Sequence, residues 1–439
     1  ESLLDIPAVE SVTEESLLPI WRIPNGLKEG RGGKKFIDYQ NDTTVLDVCL
    51  AVREGYKSVE HLKRYTALGF GTEQGKLGNI NGMAILAQLS GKKLREVGTT
   101  TFRPNYTPVT FGAIAGRKVG PVFFDLTRKT AIHHRHQELG ALFEDVGQWK
   151  RPWYYPQEGE TIAEAVDREC RATRGSVGVL DGSTLGKIDI RGPDAITLLN
   201  RIYTNSWDNL AVGRCRYGLM LGEDGMIMDD GVTSRLSDDQ YLMNTTTGNA
   251  AHVLSWMERW LQTEWPELNV YLTSVTDHWA VISVAGPASQ QVLTEICDDI
   301  DCSDEAFPFM SFRHGTISGV PARIFRISFS GERTYEINVS ANYGCAIWDV
   351  VMEAGKRFGI TPYGTEAMHV LRAEKGYIIV GQDTDGSATP HDLGMDWVLS
   401  KQKDFIGKRS LSRSAMIKGD RKQLVGLMTI DAKQVLPEG

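Results

Sequence analysis

Cysteine is sparse and scattered in this chain. The six residues Cys49, Cys170, Cys215, Cys297, Cys302 and Cys345 form none of the closely spaced pairs that a zinc or thioredoxin-like site requires. They read as reduced, mostly buried thiols, and with no visible signal or transit sequence they point to the cytoplasm. Nor does any run approach the ~20 consecutive apolar residues of a membrane span. No Gly-x-Gly-x-x-Gly follows a strand-like segment, so NAD binding is not supported in this chain. A strong excess of one charge is missing too. With 48 basic and 56 acidic residues the net charge is −8, and the basic patches Arg31 to Lys35 and His133 to His136 are too small for a nucleic-acid footprint. Core material is plentiful: 41% hydrophobic and 24% charged residues over 439 positions imply a globular chain of about two to four domains. The chain opens on Glu1 instead of a methionine and closes on the turn signal Pro437-Glu438-Gly439 after a strand-like run, which reads as a piece of something longer.

Residues 1–34 are polar and rich in Glu, Gly and Lys, and read as a linker or arm. From 35 to 100 the pattern is helical, with runs over 44–53, from Ser58 as N-cap, and over 81–89. Between the second and third lies a Gly-rich loop from Gly69 to Asn79, followed by a connector over 101–126. From Val177 strands alternate with helices, and the sequence answers itself. IDIRGPDAITLL (188–199) matches ISVAGPASQQVL (282–293), and YLMNTTTGNAAHVLSWM (241–257) matches YEINVSANYGCAIWDVV (335–351). The offset is constant, 286 − 192 = 94 for the glycines and 335 − 241 = 94 for the tyrosines. Each unit reads strand, Gly-Pro turn, helix, hairpin, strand, helix. The predicted class is therefore α+β, a duplicated split β-α-β core, with Pro193 and Pro287 in the first turn of a helix and a ligand between the halves.

The stretch HQELGALFEDVGQWKRPWYY, then VGVLDGSTLGKIDIRGPDA, YGLMLGEDGMIMDDGV, FSGERTYEI and LRAEKG with GQDTDGSATPHDLGMDW, resembles the glycine-cleavage T-protein, or aminomethyltransferase, family in order and spacing. The resemblance begins near residue 127. Upstream, EGYKSVEHLKRYTALGFGTEQGK and TTTFRPNYTPV resemble the alpha-subunit family of heterotetrameric sarcosine oxidases. The resemblance implies a folate-binding domain over 127–400 and, over 401–439, the start of a C-terminal β-barrel whose first strand is expected near Gln423 to Ile430. It also implies a partner beta subunit that oxidises sarcosine at a flavin, with smaller subunits. Tetrahydrofolate would then capture the imine as 5,10-methylenetetrahydrofolate. Two other readings stand beside this one: a free-standing aminomethyltransferase or demethylase, and a non-catalytic scaffold for the flavin subunit. The amine stays open among sarcosine, dimethylglycine and an opine-like amine.

The same resemblance suggests site residues. Asp181 falls on the carboxylate of the family's FDVS motif and is the expected catalytic residue, since a fixed negative charge beside an iminium carbon can also take a proton. An Asp before Gly182-Ser183 equally caps a turn. Glu336 falls on the glutamate that grips the pterin, whose parallel N–H donors suit a carboxylate. Phe329 stands where the family has a tyrosine and covers the ring, Tyr217 and Trp153 are further lining candidates, and Arg372 is either a folate contact or a buried partner of an acid. Met368 replaces an arginine of the family pattern. The helical segment resembles a small ferredoxin-like domain of the bacterioferritin-associated type, but Thr72 and Gly75 stand at its Cys-x-x-Cys positions, so no iron–sulphur cluster is held. Arg64, Thr66, Thr72 and Lys76 around that loop suit a phosphate, expected to be that of FMN shared with the beta subunit. His133, His134 and His136 point different ways around a helix and read as surface or interface residues; no metal is predicted.

Overall fold

A hydroxyl cap at Thr44 starts the first helix, and Ser58 stands at the N-cap of the second, as the sequence places it, without a side-chain cap bond. The structure is a computed structural model that describes residues 18–28, 30–104, 106–117, 120 and 126–431; Glu1 and the closing Pro437-Glu438-Gly439 lie outside the described residues. The chain divides into two units, Glu1–Asp125 and Leu126–Gly439. No helix among the described residues is long and apolar enough to cross a membrane.

The first unit pairs β1 (Phe36–Asp38) with β2 (Thr43–Thr44) and continues into α1 (Val45–Arg53). Thr44 and Asp47 form a reciprocal capping box there. The helices α2 (Val59–Thr66), α3 (Asn79–Ser90), α4 (Leu94–Val97) and α5 (Phe111–Ala115) follow. Val48, Leu62, Leu68, Ile85 and Leu86 close its core.

The second unit opens with α6 (His133–Glu138) and the hairpin β3 (Leu142–Val146) and β4 (Trp149–Tyr154). Next come α7 (Ile162–Gly175) and β5 (Gly178–Asp181). A first run of elements comprises β6 (Gly186–Arg191), α8 (Ala195–Ile202), β7 (Cys215–Leu221), β8 (Ile227–Arg235), β9 (Gln240–Thr245) and α9 (Ala250–Thr263). After β10 (Tyr271–Ser274), a second run comprises β11 (Trp279–Ala285), α10 (Ser289–Ile296), β12 (Ser311–Ile317), β13 (Val320–Arg326), β14 (Thr334–Ser340) and α11 (Gly344–Gly355). β15 (Thr361–Pro362) and α12 (Thr365–Ala373) come next, followed by short 3-10 helices at Asp396–Val398 and Lys408–Ser412. One sheet runs β10-β6-β9-β8-β7 and the other β12-β13-β14-β11-β5-β15. All pairings are antiparallel except β15 on β5.

Period-two alternation decides which residues can meet a ligand. On β11 and β14, Ala280, Ile282 and Val284 with Tyr335, Ile337 and Val339 pack into a core with Trp348 and Val351 of α11. The intervening positions turn to the other face. Ser283 pairs with Glu336 on one side and with Leu180 of β5 on the other, so the three form one rank across the sheet.

Two sequence expectations change. Pro193 and Pro287 precede the N-cap residues Asp194 and Ala288 instead of standing in the first helical turn. The glycines before them carry the constraint: Gly192 and Gly286 adopt φ +131° and +130°, open to glycine and little else. Residues 423–430 form no strand, because no neighbouring strand supplies a ladder; Leu427, Met428 and Ile430 are exposed.

A Cβ on Gly192 would lie 2.1 Å from the carbonyl oxygen of Asn269, and one on Gly286 2.4 Å from that of Ser176. Gly192→Ala and Gly286→Ala should therefore each cost at least about 2 kcal/mol in urea unfolding. Gly359→Ala, with φ +70° but open space around it, should cost about 1 kcal/mol. Equal losses at all three sites would show that backbone strain alone, not the close approach, sets the cost.

Candidate functional site

A cavity of about 1620 Å³ lies in the second unit, lined on one side by Leu180, Ser283 and Glu336 and on another by Tyr217, Asp230 and Asn244. The rank across the six-stranded sheet supplies the first wall, and β7, β8 and β9 supply the second. Gly231 in β8 lets the strands close tightly, since a Cβ there would lie 2.0 Å from the Asn244 carbonyl oxygen.

The second wall carries an acid pair inside an apolar strand. The Tyr217 hydroxyl donates to Asp230 at 2.7 Å. Burial pushes the Asp230 carboxyl up to about 7; Asp229 adds to the rise and the Tyr217 hydrogen bond opposes it. Burial likewise raises Asp229 to about 6, against hydrogen bonds from the Asp230 and Thr246 backbone. An acid poised near neutrality at a cavity wall can both hold and release a proton. Across from it, burial raises Glu336 to about 7, partly offset by the buried Lys187, and no described residue hydrogen-bonds its carboxylate. The buried Oδ1 atoms of Asn205 and Asn244, both cavity residues, also lack partners among the described residues. With Asp230 these give acceptors on both walls, which suits a donor-rich ligand. Aromatic rings flank it: Phe329 stacks with Tyr377 at 6.3 Å and 21°, and Tyr217 faces Trp397 at 6.3 Å.

The structure separates the residues expected to line this site. Glu336, Phe329, Tyr217 and Met368 line the cavity. Asp181 does not: its neighbours Leu180 and Gly182 face the cavity, and the pleat turns Asp181 away. Its carboxylate accepts from the Ser183 backbone at 2.9 Å, from Thr130 Oγ1 at 2.6 Å and lies 3.1 Å from His136 Nε2. Burial opposes its ionisation, but these contacts outweigh it, with His136 foremost, and hold its carboxyl down to about 2. A carboxylate so engaged is a turn cap and a tie between elements. Trp153 is also away from the cavity, its indole N–H donating to Glu366 at 2.9 Å. Arg372 is buried against Asp383 and the Tyr377 carbonyl, so it fixes the Tyr377 segment from behind.

The histidines are corrected as well. His133 and His136 are buried, because α6 packs that face inward; His136 joins Asp181 to the Tyr155 hydroxyl, 2.9 Å from Nδ1. Among the described residues no group of His, Cys, Asp and Glu could hold a metal.

In the first unit the loop after α2 does not fit a phosphate. The backbone N–H groups of Gly69, Glu73, Gly75 and Leu77 already donate to side-chain oxygens of Asp38, Gln40 and Glu73. The Glu73 carboxylate thus stands where an anion would. Lys76 is drawn to the Tyr106 carbonyl at 2.7 Å, Arg64 to Glu60, Thr66 to the Leu62 carbonyl, and Thr72 accepts from Gln40.

Residues 132–403 match the GCVT N-terminal domain family, and residues 32–117 match the sarcosine oxidase A3 domain. The chain belongs to the aminomethyltransferase family. It is 31% identical over 312 residues to the aminomethyltransferase of Thermotoga sp. (strain RQ2), covering 71% of this chain and 81% of that protein. It is 53% identical to the sarcosine oxidase subunit alpha of Corynebacterium sp. (strain U-96) and 45% identical to that of Rhizobium meliloti (strain 1021), along 100% and 99% of its length. It spans 46% and 44% of those two proteins. The fold is that of the glycine cleavage system aminomethyltransferase T from Bartonella henselae, with a TM-score of 0.56 at 22% identity over 64% of this chain and 73% of that one.

The acid pair is the feature that the aminomethyltransferase motifs concealed. Adjacent carboxylates inside the strand-like MIMDDGV are anomalous for a buried strand, and that signal was open to reading. The raised acids also predict a pH dependence. An unfolded carboxyl ionises near about 4, whereas these stay neutral up to about 7, so the wild type loses stability as pH rises across that interval. Asp230→Asn and Glu336→Gln, which cannot ionise, should melt above the wild type at pH 8 and converge with it towards pH 4. A melting-temperature gap that does not change with pH would contradict the raised values.

Proposed function

We propose that this chain is the folate-dependent one-carbon transfer part of a sarcosine oxidase alpha subunit. In this reading a flavin-bearing beta subunit oxidises the amine, and the resulting imine gives up its methylene carbon here to tetrahydrofolate, forming 5,10-methylenetetrahydrofolate as the C–N bond to glycine breaks and glycine leaves. The observation that carries the reading is a cavity with an unpaired glutamate on one wall, a proton-holding acid on the other and stacked rings at its side, in a chain of the aminomethyltransferase family. The matching strand orders β6-β9-β8-β7 and β11-β14-β13-β12 support reading the two sheets as a duplicated split β-α-β unit with the ligand between them. Domain limits of 35–100, 127–400 and 401–439 are part of the same proposal.

Tetrahydrofolate, when bound, supplies the nitrogens between which the one-carbon unit is bridged. The chain's own residues then divide the work. Glu336, which has no hydrogen bond to its side chain from any described residue, accepts the parallel N–H donors of the pterin and orients it. Phe329 and Tyr377 cover the ring face and exclude water. Asp230, ionised, accepts the proton that leaves a folate nitrogen as the bond to carbon forms and can return it to the departing amine; its Tyr217 hydrogen bond fixes the carboxyl orientation. The role expected of Asp181 therefore passes to Asp230, and Asp181 anchors the strand that forms the floor. No step is routed through FMN, whose phosphate the loop does not fit.

Titration of the protein with folinic acid should show binding that falls at least about 10-fold in Glu336→Ala, the worth of hydrogen bonds to a charged group. Unchanged affinity would remove the pterin from this wall. In the protein assembled with its oxidase partner, Asp230→Asn should leave amine oxidation intact and release formaldehyde in place of methylenetetrahydrofolate. Undiminished methylenetetrahydrofolate would remove Asp230 from the reaction.

A further inference from the structure

The cavity wall holds a buried cation without a hydrogen-bond or ion-pair partner among the described residues, on which Glu144 and Asp181 act only through space. Arg151 on β4 is 7% exposed and lines the cavity together with Leu180, Gly182 and His369. No hydrogen bond or ion pair joins it to any described residue, and its Nε is fully enclosed without a partner. Its cross-strand neighbour on the hairpin is Glu144, which does not reach it within ion-pair distance. Most other covered arginines of this unit behave differently; Arg323, whose Nε also lacks a partner among the described residues, lies over the Trp279 ring. Arg168 forks onto Glu160, Arg174 onto Glu332 and Glu374, and Arg372 onto Asp383. Leaving a guanidinium buried and unpaired costs several kcal/mol, and a cavity at its side is where the compensating charge can enter.

We propose that Arg151 is the receptor for a ligand carboxylate inside this cavity. The chemistry is set by the guanidinium fork, which matches the two oxygens of a planar carboxylate. It is also set by contrast with other parts of the lining, where Glu336 on the six-stranded sheet and Asp230, Asn205 and Asn244 on the five-stranded side offer acceptors. A ligand with donors at one end and a carboxylate at the other satisfies both kinds of group. The inference rests on the folate reading for its choice of carboxylates, of which there are two: the glutamyl end of the folate, and the carboxylate of the amino-acid imine. The exposed Lys375 at the cavity rim can meet an anion in water, whereas Arg151 can meet one only after desolvation, where a charged hydrogen bond counts for most.

The test is calorimetric titration of the assembled protein and its Arg151→Met variant with three probes. Folinic acid carries pterin and glutamyl carboxylate, 6-methyltetrahydropterin carries the pterin alone, and 3-butenoate has the shape and charge of the imine of glycine. The expected result is a loss of at least about 10-fold for folinic acid or for 3-butenoate, with 6-methyltetrahydropterin unchanged; whichever carboxylate probe weakens identifies the source. Equal affinities of wild type and variant for both carboxylate probes overturn the proposal. A parallel loss of 6-methyltetrahydropterin overturns it too, since Arg151 would then be holding the shape of the cavity. If neither pterin probe binds the wild type, the folate reading fails while 3-butenoate still decides the role of Arg151; if none of the three binds, both fall. Should Arg151→Met not fold, Arg151→Lys keeps the charge but loses the fork, and is expected to weaken the same carboxylate probe.

Discussion

The cavity depends on a carboxylate that never faces it. Asp181 ends β5 and ties three pieces of chain together: Thr130 ahead of α6, His136 within it, and the turn at Ser183 that leads into β6. Gly182 then donates to the Val281 carbonyl of β11. These contacts fix where the first sheet hands the chain to the second, so Leu180 and Gly182 form the cavity floor. Because folding depresses this carboxyl to about 2, the tie is at full strength above about pH 4 and weakens as pH falls towards 2. It is therefore intact throughout the range in which Asp230 and Glu336 titrate.

Those two acids work in the opposite sense. The protein would be more stable with neutral side chains at both places, and it keeps carboxyls that burial forces towards neutrality. Stability given up at a cavity wall is the usual mark of a site shaped for something other than folding. The same holds for the unpaired acceptors of Asn205 and Asn244 and for the uncompensated guanidinium of Arg151. A ligand that meets them would raise stability by mass action as well as bind.

Much of the fold was legible in the sequence because it follows from local periods. The Gly192 and Gly286 match at an offset of 94 marked two turns of the same geometry, and alternation in TYEINVS was enough to turn Glu336 away from the core. Arg372 was legible as a buried partner of an acid, though not of which one. Asp181 shows what a motif leaves out: in GVLD the residue that lines the cavity is Leu180, so its neighbour faces the other way. A motif letter carries no face. The loop after α2 misled in a similar way, since glycine, threonine and lysine suggested an anion site while the anion was already present in the chain as Glu73. The histidines were misread because pointing different ways was taken as exposure, when His133 and His136, three apart on α6, are both buried.

The distribution of charge about the cavity follows from these placements. Charges of both signs line the cavity without pairing across it: Arg151 and Glu144 stand on the β3–β4 hairpin, Arg216 on β7, and Asp230 and Glu336 on β8 and β14. Had Arg151 been close enough to pair with Glu336, both would have lost the capacity to bind, since each would have satisfied the other. Lys187 shows the alternative. It is buried, it donates to the Ser183 and Leu185 carbonyls, and burial lowers it to about 8 against the pull of Glu336 and Asp181. It is committed to the backbone and so tempers Glu336 without neutralising it. A lysine anchored on carbonyls can stabilise a nearby carboxylate through space and still leave its oxygens open to a ligand, which is the condition a donor-rich heterocycle requires of that wall.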